Sequence, residues 1–510
     1  MFAISRPGAV RLLRDCACWD RPRSILRSVT YAALVILASF AIDRSAFVVD
    51  GAVLTDGHAL ASLELAMARA YCGQPSSFSN TVRIPYDVGN QIGLRHLPLR
   101  ELVVRKAGSI DAYCRSVNVP FVNNENSLML LETAILRVWP SISVFQLGEA
   151  LHLIQIAGVS MFVLLLIDLG GSLALGVATI RWSLSVLRTM PTHVYSNYPF
   201  LFVMVLAAAA FYGFALKYRW GRRPIGLVLL GATAGVLSAF IVNMRTSYMP
   251  IALLFFVCFL LAERAPDDRS PGWRKPVARS LVLAGCFGLG YVALQWGMIT
   301  RFLQPERSHI ATHTLGHPLV LSIAVPENDL SRQLGIAWLD EVGRQKALGV
   351  DPQAEYLGPR YDRALLQYYR NLWKEHPREM LGLYRLKFSA VGMDMLAVLR
   401  GSPGMDGRLI RLLLAPISYA PNGLWLLGLY VSIVLGSLVV FVKSGNPLAF
   451  TLGLLSLAAC LAHIEAGTIY SLFVSQYHNY LAFYVVFLSL VGLQAAVNLG
   501  RHLVLGSLPF

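Results

Sequence analysis

The chain has 510 residues, of which 55% are hydrophobic and only 14% are charged, and its formal net charge is +15. Soluble domains carry about 25% charged residues, so this composition excludes an ordinary soluble protein and indicates a surface that faces lipid. The positive charge lies beside apolar segments and not in a separate basic region, which argues against a nucleic-acid partner.

Apolar segments long enough to cross a bilayer recur along the whole chain. A membrane-spanning helix needs about 20 apolar residues, and about ten segments fit that length. The predicted spans lie near 25–43, 147–167, 170–188, 199–216, 225–243, 248–263, 280–298, 421–442, 447–464 and 481–498. The sequence therefore predicts an all-α, polytopic transmembrane helical bundle with two long outer loops that contain amphipathic helices.

Lys and Arg fix the predicted orientation, because short loops rich in these residues stay in the cytoplasm. The basic segments 6–27, 217–223 and 264–279 fall on one side of a ten-span arrangement. We therefore expect a bacterial inner-membrane protein with both termini cytoplasmic. Its predicted parts are a basic tail at 1–27, a transmembrane core at 28–300, an outer helical subdomain at 301–420 and C-terminal spans at 421–510.

The first long outer loop, 44–146, carries the first candidate site residues. Asp50 and Asp56 follow the first span, and an acid there could act as a general base or hold a divalent cation against a phosphate. The alternative is that they only cap the helix predicted over Ala59–Ala70. A second helical stretch is predicted near 97–117. Cys72 and Cys114 share this loop and could form a disulfide on an oxidising side.

Two further residues could complete a site at the outer boundary. Glu125 lies among Asn and Ser side chains that suit sugar hydroxyls, just before a predicted helix, although the same cluster could cap that helix. Arg245 follows the fifth span, where a guanidinium can bind a lipid-linked phosphate. Arg245 could also be an anchoring arginine that extends to a lipid head group.

The sequence predicts that the second long outer loop, within 301–420, is folded. Leu330, Leu334, Trp338 and Val342 recur at helical spacing after Asn328 and Asp329, which both suit an N-cap, so one helix is predicted that begins there and is closed by Gly349. Another helix is predicted to end at Pro377.

A third predicted helix, from Pro377 to Arg400, has basic and apolar residues that suit the membrane surface, including Arg378, Arg385, Lys387, Leu381, Leu383 and Phe388.

His309, His313 and His317 are spaced four apart. Gly316 and Pro318 argue against a regular helical zinc site, so contacts to a phosphate or sugar, or simple hydration, are the alternatives.

This layout resembles the C-type superfamily of integral membrane glycosyltransferases, which use sugars carried on polyprenyl phosphate. In that family a long outer loop follows the first span and holds a catalytic aspartate, a position that Asp56 in Leu-Thr-Asp-Gly-His-Ala occupies here. The segment from Asn124 to Trp139 corresponds to the family's helix before the second span but lacks its prolines. The loop 191–198 lacks the second acid that many members have there.

The resemblance implies a polyprenyl-phosphate-linked sugar donor, a lipid or envelope glycan acceptor and contact with membrane lipids. Asp56 and Glu125 would be catalytic, and Asp50, Arg245, His313 and His317 would bind substrate. It leaves open a divalent cation, Mg²⁺ or Mn²⁺, and requires no other cofactor. Two alternatives remain: an enzyme like the O-antigen ligases and polymerases, and a transporter or flippase, which predicts ionisable residues deep within spans. The sequence shows few such residues, of which Arg181 is the clearest.

Overall fold

A computed structural model describes residues 57–73, 94, 96–116, 126–168, 176, 179–180, 183, 197–245, 248–263, 274–302, 315–356, 358–401, 424–469 and 484. Within these ranges the protein forms sixteen α-helices and no strand. The predicted all-α fold is therefore confirmed for the part of the chain that the structure describes.

The helices fall into four consecutive groups. The first loop unit contains α1 (Gly57–Cys72), α2 (Leu99–Ala107), α3 (Ile110–Ser116) and α4 (Asn126–Val138). The next group contains α5 (Val144–Asp168), α6 (Asn197–Lys217), α7 (Pro224–Met244), α8 (Met249–Glu263) and α9 (Arg274–Phe302). The second loop unit contains α10 (Gly316–Leu321), α11 (Asp329–Leu334), α12 (Asp340–Val350), α13 (Pro359–Glu375) and α14 (Pro377–Gly401), and it is followed by α15 (Leu424–Ser444) and α16 (Pro447–Thr468).

Six of these helices are long and apolar enough to cross a membrane. They are Val144–Leu164, Phe200–Lys217, Pro224–Met244, Val277–Gly297, Leu424–Lys443 and Pro447–Thr468. The helix α8 is apolar but has only 15 residues. Predicted spans near 25–43, 170–188 and 481–498 lie wholly or mostly outside the described residues, so the count of ten stays a prediction.

Helices α7 and α9 run parallel and pack closely through small residues. Gly231 lies beside Cys286 in α9, and further along Asn243 donates a hydrogen bond from Nδ2 to Gln295 Oε1 at 2.5 Å. A Cβ atom at Gly235 would lie 2.1 Å from the carbonyl oxygen of Phe287. Because that neighbour is backbone, only glycine permits this spacing between the two helices.

Replacing Gly235 with Ala should therefore force α7 and α9 apart and destabilise the bundle by about 1–3 kcal/mol, as overpacking does in other well-packed interiors. Gly288→Ala in α9 is the matched control, because a Cβ at Gly288 meets no atom within 4 Å. Thermal unfolding in detergent would measure both variants. Equal midpoints for the two would contradict the close contact.

The bundle has two chemically distinct ends. At one end Arg279 Nη2 donates to Glu263 Oε1 at 2.8 Å and to the carbonyl oxygen of Gly221 at 3.0 Å. Gly221 and Arg279 belong to two basic segments that were predicted to share a side, and these described residues lie together at this basic end. The opposite end, where α7 finishes, carries Arg245 and is called the Arg245 end below.

The first loop unit is held together by packing and by a covalent link. The helix α1 packs along α4 and α3, and a disulfide joins Cys72 to Cys114. The helix predicted over Ala59–Ala70 is confirmed as α1, and the stretch near 97–117 forms two short helices, α2 and α3. Disulfides persist in oxidising compartments, so this disulfide agrees with the outer location predicted for the first loop unit.

The single helix predicted to begin after Asn328 and to close at Gly349 is wrong. Asn328 does cap α11, and its Oδ1 accepts from the backbone N–H of Ser331 at 2.9 Å. However, α11 ends at Leu334, and Gly335 adopts a left-handed conformation with φ of 60°. A new helix begins at Asp340, and Gly349 lies inside it. A left-handed residue interrupts the helical repeat, so the apolar spacing across it did not report one continuous helix.

The third helix of this loop, α14, has the predicted bounds, and its exposed face carries Arg378 and Arg385, whereas Lys387 is buried. Phe388 packs over Gly467 in α16, and Leu383 and Lys387 are buried. Tyr384 lies near Thr468, whereas Phe388 reaches back to His463. The middle of α14 therefore runs antiparallel to the last two turns of α16. Only one face of α14 is exposed.

Candidate functional site

The Arg245 end contains an ion pair between two apolar helices. Arg245 follows α7 in an extended conformation, and its Nη2 and Nε lie 2.9 Å and 3.1 Å from Glu465 Oε1 in α16. The two side chains are only 20% and 14% exposed. Removing both charges from water is costly, so a pair at this depth needs either a structural or a functional reason.

The first loop unit reaches this ion pair through the start of α4. Ser127 Oγ donates to the carbonyl oxygen of Phe240 in α7 at 2.8 Å. Phe240 precedes Arg245 by five residues, which is about 7.5 Å along a helix. The segment that begins directly after Glu125 is therefore anchored beside the end of α7, close to Arg245.

The second loop unit reaches the same end from the other side of α16. The carbonyl oxygen of Thr468, the last residue of α16, accepts hydrogen bonds from Ser322 Oγ and from the Tyr384 hydroxyl, each at 3.4 Å. Because Thr468 lies one turn after Glu465, these contacts fix the turn that carries the carboxylate. The two loop units therefore contact the bundle near the Arg245–Glu465 pair, the first at Phe240 and the second at Thr468.

A buried lysine lies in this contact. Lys387 has no exposed surface, donates from Nζ to Ser322 Oγ at 3.0 Å, and lies 4.9 Å from the centre of the Tyr384 ring. Burial lowers the pKa of Lys387 to about 7, because the charged form loses its hydration. The sequence pattern assigned this side chain to a surface, and the structure instead uses it between α14, the turn at Ser322 and the end of α16.

His317 belongs to a separate polar network inside the second loop unit. Its Nδ1 lies 2.6 Å from the Tyr361 hydroxyl, and its Nε2 lies 3.3 Å from Asp340 Oδ1. The side chain is 5% exposed, and these contacts join α10, α12 and α13. His317 lies about one and a half turns before Ser322, so its contacts support the turn that binds Thr468. No described contact joins His317 to Arg245.

The other predicted site residues lie outside the described residues. These are Asp50, Asp56, Glu125 and His313. Asp56 directly precedes α1, and Glu125 directly precedes α4. Among the described residues no group of three His, Cys, Asp or Glu side chains is arranged to hold a metal ion. The structure thus positions Arg245 and the starts of α1 and α4.

Sequence reasoning missed Glu465 and His463, although a signal was present. Both lie in the last two turns of an apolar helix, where an ionisable residue is by default a candidate for function. His463 is fully buried and lies 3.2 Å from the carbonyl oxygen of Phe388. The expectation that few ionisable residues lie within spans was therefore incomplete.

These features define an all-helical protein with several helices able to cross a membrane and a polar site at one end of its bundle. No protein-family model, no curated protein and no solved structure matches the chain. The functional interpretation therefore depends on the chemistry of the site.

Proposed function

We propose that this protein is an integral membrane glycosyltransferase that uses a polyprenyl-phosphate-linked sugar at the outer face of the bacterial inner membrane. One observation carries the proposal: the Arg245–Glu465 pair lies where both loop units meet the end of the bundle. A guanidinium at this boundary is in reach of a phosphate that enters sideways from the bilayer. The acceptor is a lipid or envelope glycan.

The chemistry assigns complementary roles to an acid and a cation. Asp56 accepts the proton of the acceptor hydroxyl, whose oxygen forms a bond to the anomeric carbon of the sugar. The bond from that carbon to the phosphate oxygen breaks at the same time, and the configuration inverts. Arg245 stabilises the negative charge that the departing lipid phosphate keeps, while Glu465 orients the guanidinium.

Three contacts support placing Asp56 near Arg245. The helix α1, which begins directly after Asp56, packs along α4, which Ser127 anchors to α7. Arg100 lies close enough to Tyr71, in the last turn of α1, to oppose the rise that burial causes in the pKa of Tyr71. Leu99 in turn donates its N–H to the carbonyl oxygen of Ile142, just beyond α4. These contacts favour a common direction for α1 and α4, with both starting near Arg245.

The decisive variant is Asp56→Asn. It removes the proposed base while keeping the size of the side chain, so glycosyl transfer should fall by at least about 100-fold, the lower range for general base catalysis. Transfer of radiolabelled sugar from a polyprenyl-phosphate donor in membranes would measure it. The matched control is Asp111→Asn, an exposed acid in α3 of the same loop unit. Unchanged transfer in Asp56→Asn would refute the assignment.

A second candidate is a ligase or polymerase of O-antigen type. The observation that favours it is the folded second loop unit, which docks on α16 beside Glu465 and contains His317. In that case His313→Ala should abolish transfer, and Asp56→Asn should leave it intact. A transporter would tolerate both substitutions.

A further inference from the structure

The helix α14 has one face that no other part of the described structure covers. Its buried face packs on α16 and α13 and includes Leu383, Tyr384, Lys387 and Val391. The opposite face forms what we call the α14 stripe, which consists of Arg378, Leu381, Arg385, Leu386 and Met393. Leu381 is 67% exposed, Leu386 48% and Met393 49%, so three large apolar side chains lie along the same uncovered face.

The depth of the stripe follows from its contacts with α16. Tyr384 donates to the carbonyl oxygen of Thr468, where the candidate span Pro447–Thr468 ends. Arg385 is the next residue and therefore lies level with the end of that span. Because α14 runs antiparallel to α16, residues after Phe388 lie beside the apolar part of the span. The helix therefore crosses the plane at which hydrocarbon gives way to lipid head groups.

The two arginines of the stripe lie on its outer side, and apolar residues continue below them. Arg378 is outermost and is followed by the exposed Leu381, Arg385 lies at the boundary, and Leu386 and Met393 lie at the boundary and below it. Arginines in a lipid-facing helix are favourable at the level of the phosphates, and exposed leucine and methionine are favourable among acyl chains. The stripe is thus arranged to face lipid and not water.

The arginines of the stripe contrast with three exposed arginines of the second loop unit that have acidic partners. Arg332 pairs with Glu327 and Asp329, Arg344 with Glu341, and Arg360 with Asp351. Arg378 and Arg385 form no ion pair with any residue that the structure describes. Exposed Arg370 and Lys374 in α13 add positive charge beside them, against the exposed acids Glu375 and Glu379. The charge of this surface therefore suits an anionic partner.

We propose that the α14 stripe binds anionic phospholipid in the leaflet at the Arg245 end. Arg378 and Arg385 contact head-group phosphates, and Leu386 and Met393 lie among the acyl chains. The second loop unit is thereby held against the bilayer as well as against α16. This inference concerns the lipid surroundings of the loop unit and does not depend on the proposed glycosyl transfer.

Native mass spectrometry of the full-length protein, titrated with phosphatidylglycerol or with phosphatidylcholine, tests the head-group contact. Removing charge with Arg378→Gln and Arg385→Gln together should weaken phosphatidylglycerol binding by about 25-fold, since each arginine near an anionic surface contributes about fivefold. Phosphatidylcholine binding should change little. The matched control is Arg332→Gln with Arg344→Gln, which removes two exposed arginines that already have partners.

Equal phosphatidylglycerol binding by the stripe variant and the native protein would overturn the proposal, as would an equal loss in the control. Displacement of the lipid by the same concentration of inorganic pyrophosphate would overturn the assignment to a bilayer lipid. A photoreactive benzophenone residue placed at Leu386 or Met393 should also crosslink to lipid in native membranes. The same residue at exposed Leu339, outside α14, is the comparison, and absence of lipid adducts at Leu386 and Met393 would reject the inserted half of the stripe.

Discussion

Arg245→Met and Glu465→Leu should each destabilise the protein by about 2–4 kcal/mol, while the two together should restore most of that loss. Each single substitution leaves one charge desolvated without its main partner, and breaking buried pairs in this way is strongly destabilising. The side chains of Arg245 and Glu465 are still 20% and 14% exposed, so the expected cost is lower than that of breaking a fully buried ion pair. The double variant removes both charges, and the coupling appears as non-additivity.

Reversible unfolding in detergent would measure the four proteins of this cycle. Additive losses would show that the two groups do not depend on each other, contrary to the contacts at 2.9 Å and 3.1 Å. The double variant also separates stability from chemistry. If Arg245 stabilises a departing phosphate, the restored protein still lacks transfer activity, whereas a purely structural arginine predicts that activity returns with stability.

Lys387→Met should stabilise the protein at pH 7 and remove a pH dependence of its stability. Burial lowers the pKa of Lys387 from 10.5 to about 7. The unfolded chain therefore binds more protons than the folded protein between about pH 7 and 10.5, and stability rises with pH across that window. Below about pH 7 both states bind the proton, and the contribution of Lys387 is constant and at its least favourable.

The measurement is the thermal unfolding midpoint at several pH values between 6 and 10. We expect the midpoint of Lys387→Met to exceed the native midpoint by several degrees at pH 7, with the two converging near pH 10. Tyr369, Tyr384 and His463 also lie near this interface, so the difference between the two proteins is the informative quantity. Lys346→Met is the matched control, since Lys346 lies in α12 and donates to the carbonyl oxygen of Leu334. A constant difference across the pH range would contradict a buried neutral lysine.

The long apolar helices were predictable because twenty consecutive apolar residues have few alternatives to a membrane span. Local signals also predicted the cap at Asn328, the helix ending before Pro377 and the start of α4. The break at Gly335 could not be read in the same way, because apolar residues continued at helical spacing on both sides of a left-handed glycine. A periodic pattern reports which residues are buried and does not report a change in backbone direction.

In the candidate site, too, some residues could be predicted from the sequence and others could not. Arg245 was identifiable because a guanidinium directly after a predicted span lies where a lipid phosphate can be bound. Its partner Glu465 is 220 residues away in sequence, and only tertiary packing brings α7 and α16 together. The environment of Lys387 was not predictable from the spacing of α14, because either face of that helix could have packed against a span.

The shortness of α8 has a consequence for the bilayer. Its 15 residues extend about 22 Å, roughly 8 Å less than the thickness of a typical hydrocarbon core. Leu253, Leu254, Val257 and Leu261 are exposed on its surface among the described residues. If α8 crosses the bilayer, as the sequence predicts for 248–263, lipid adjoins these side chains. Lipids beside a short span compress to match it, which draws head groups inward at both of its ends. Arg245 lies just before α8, so thinning of this kind would bring lipid phosphates toward its guanidinium.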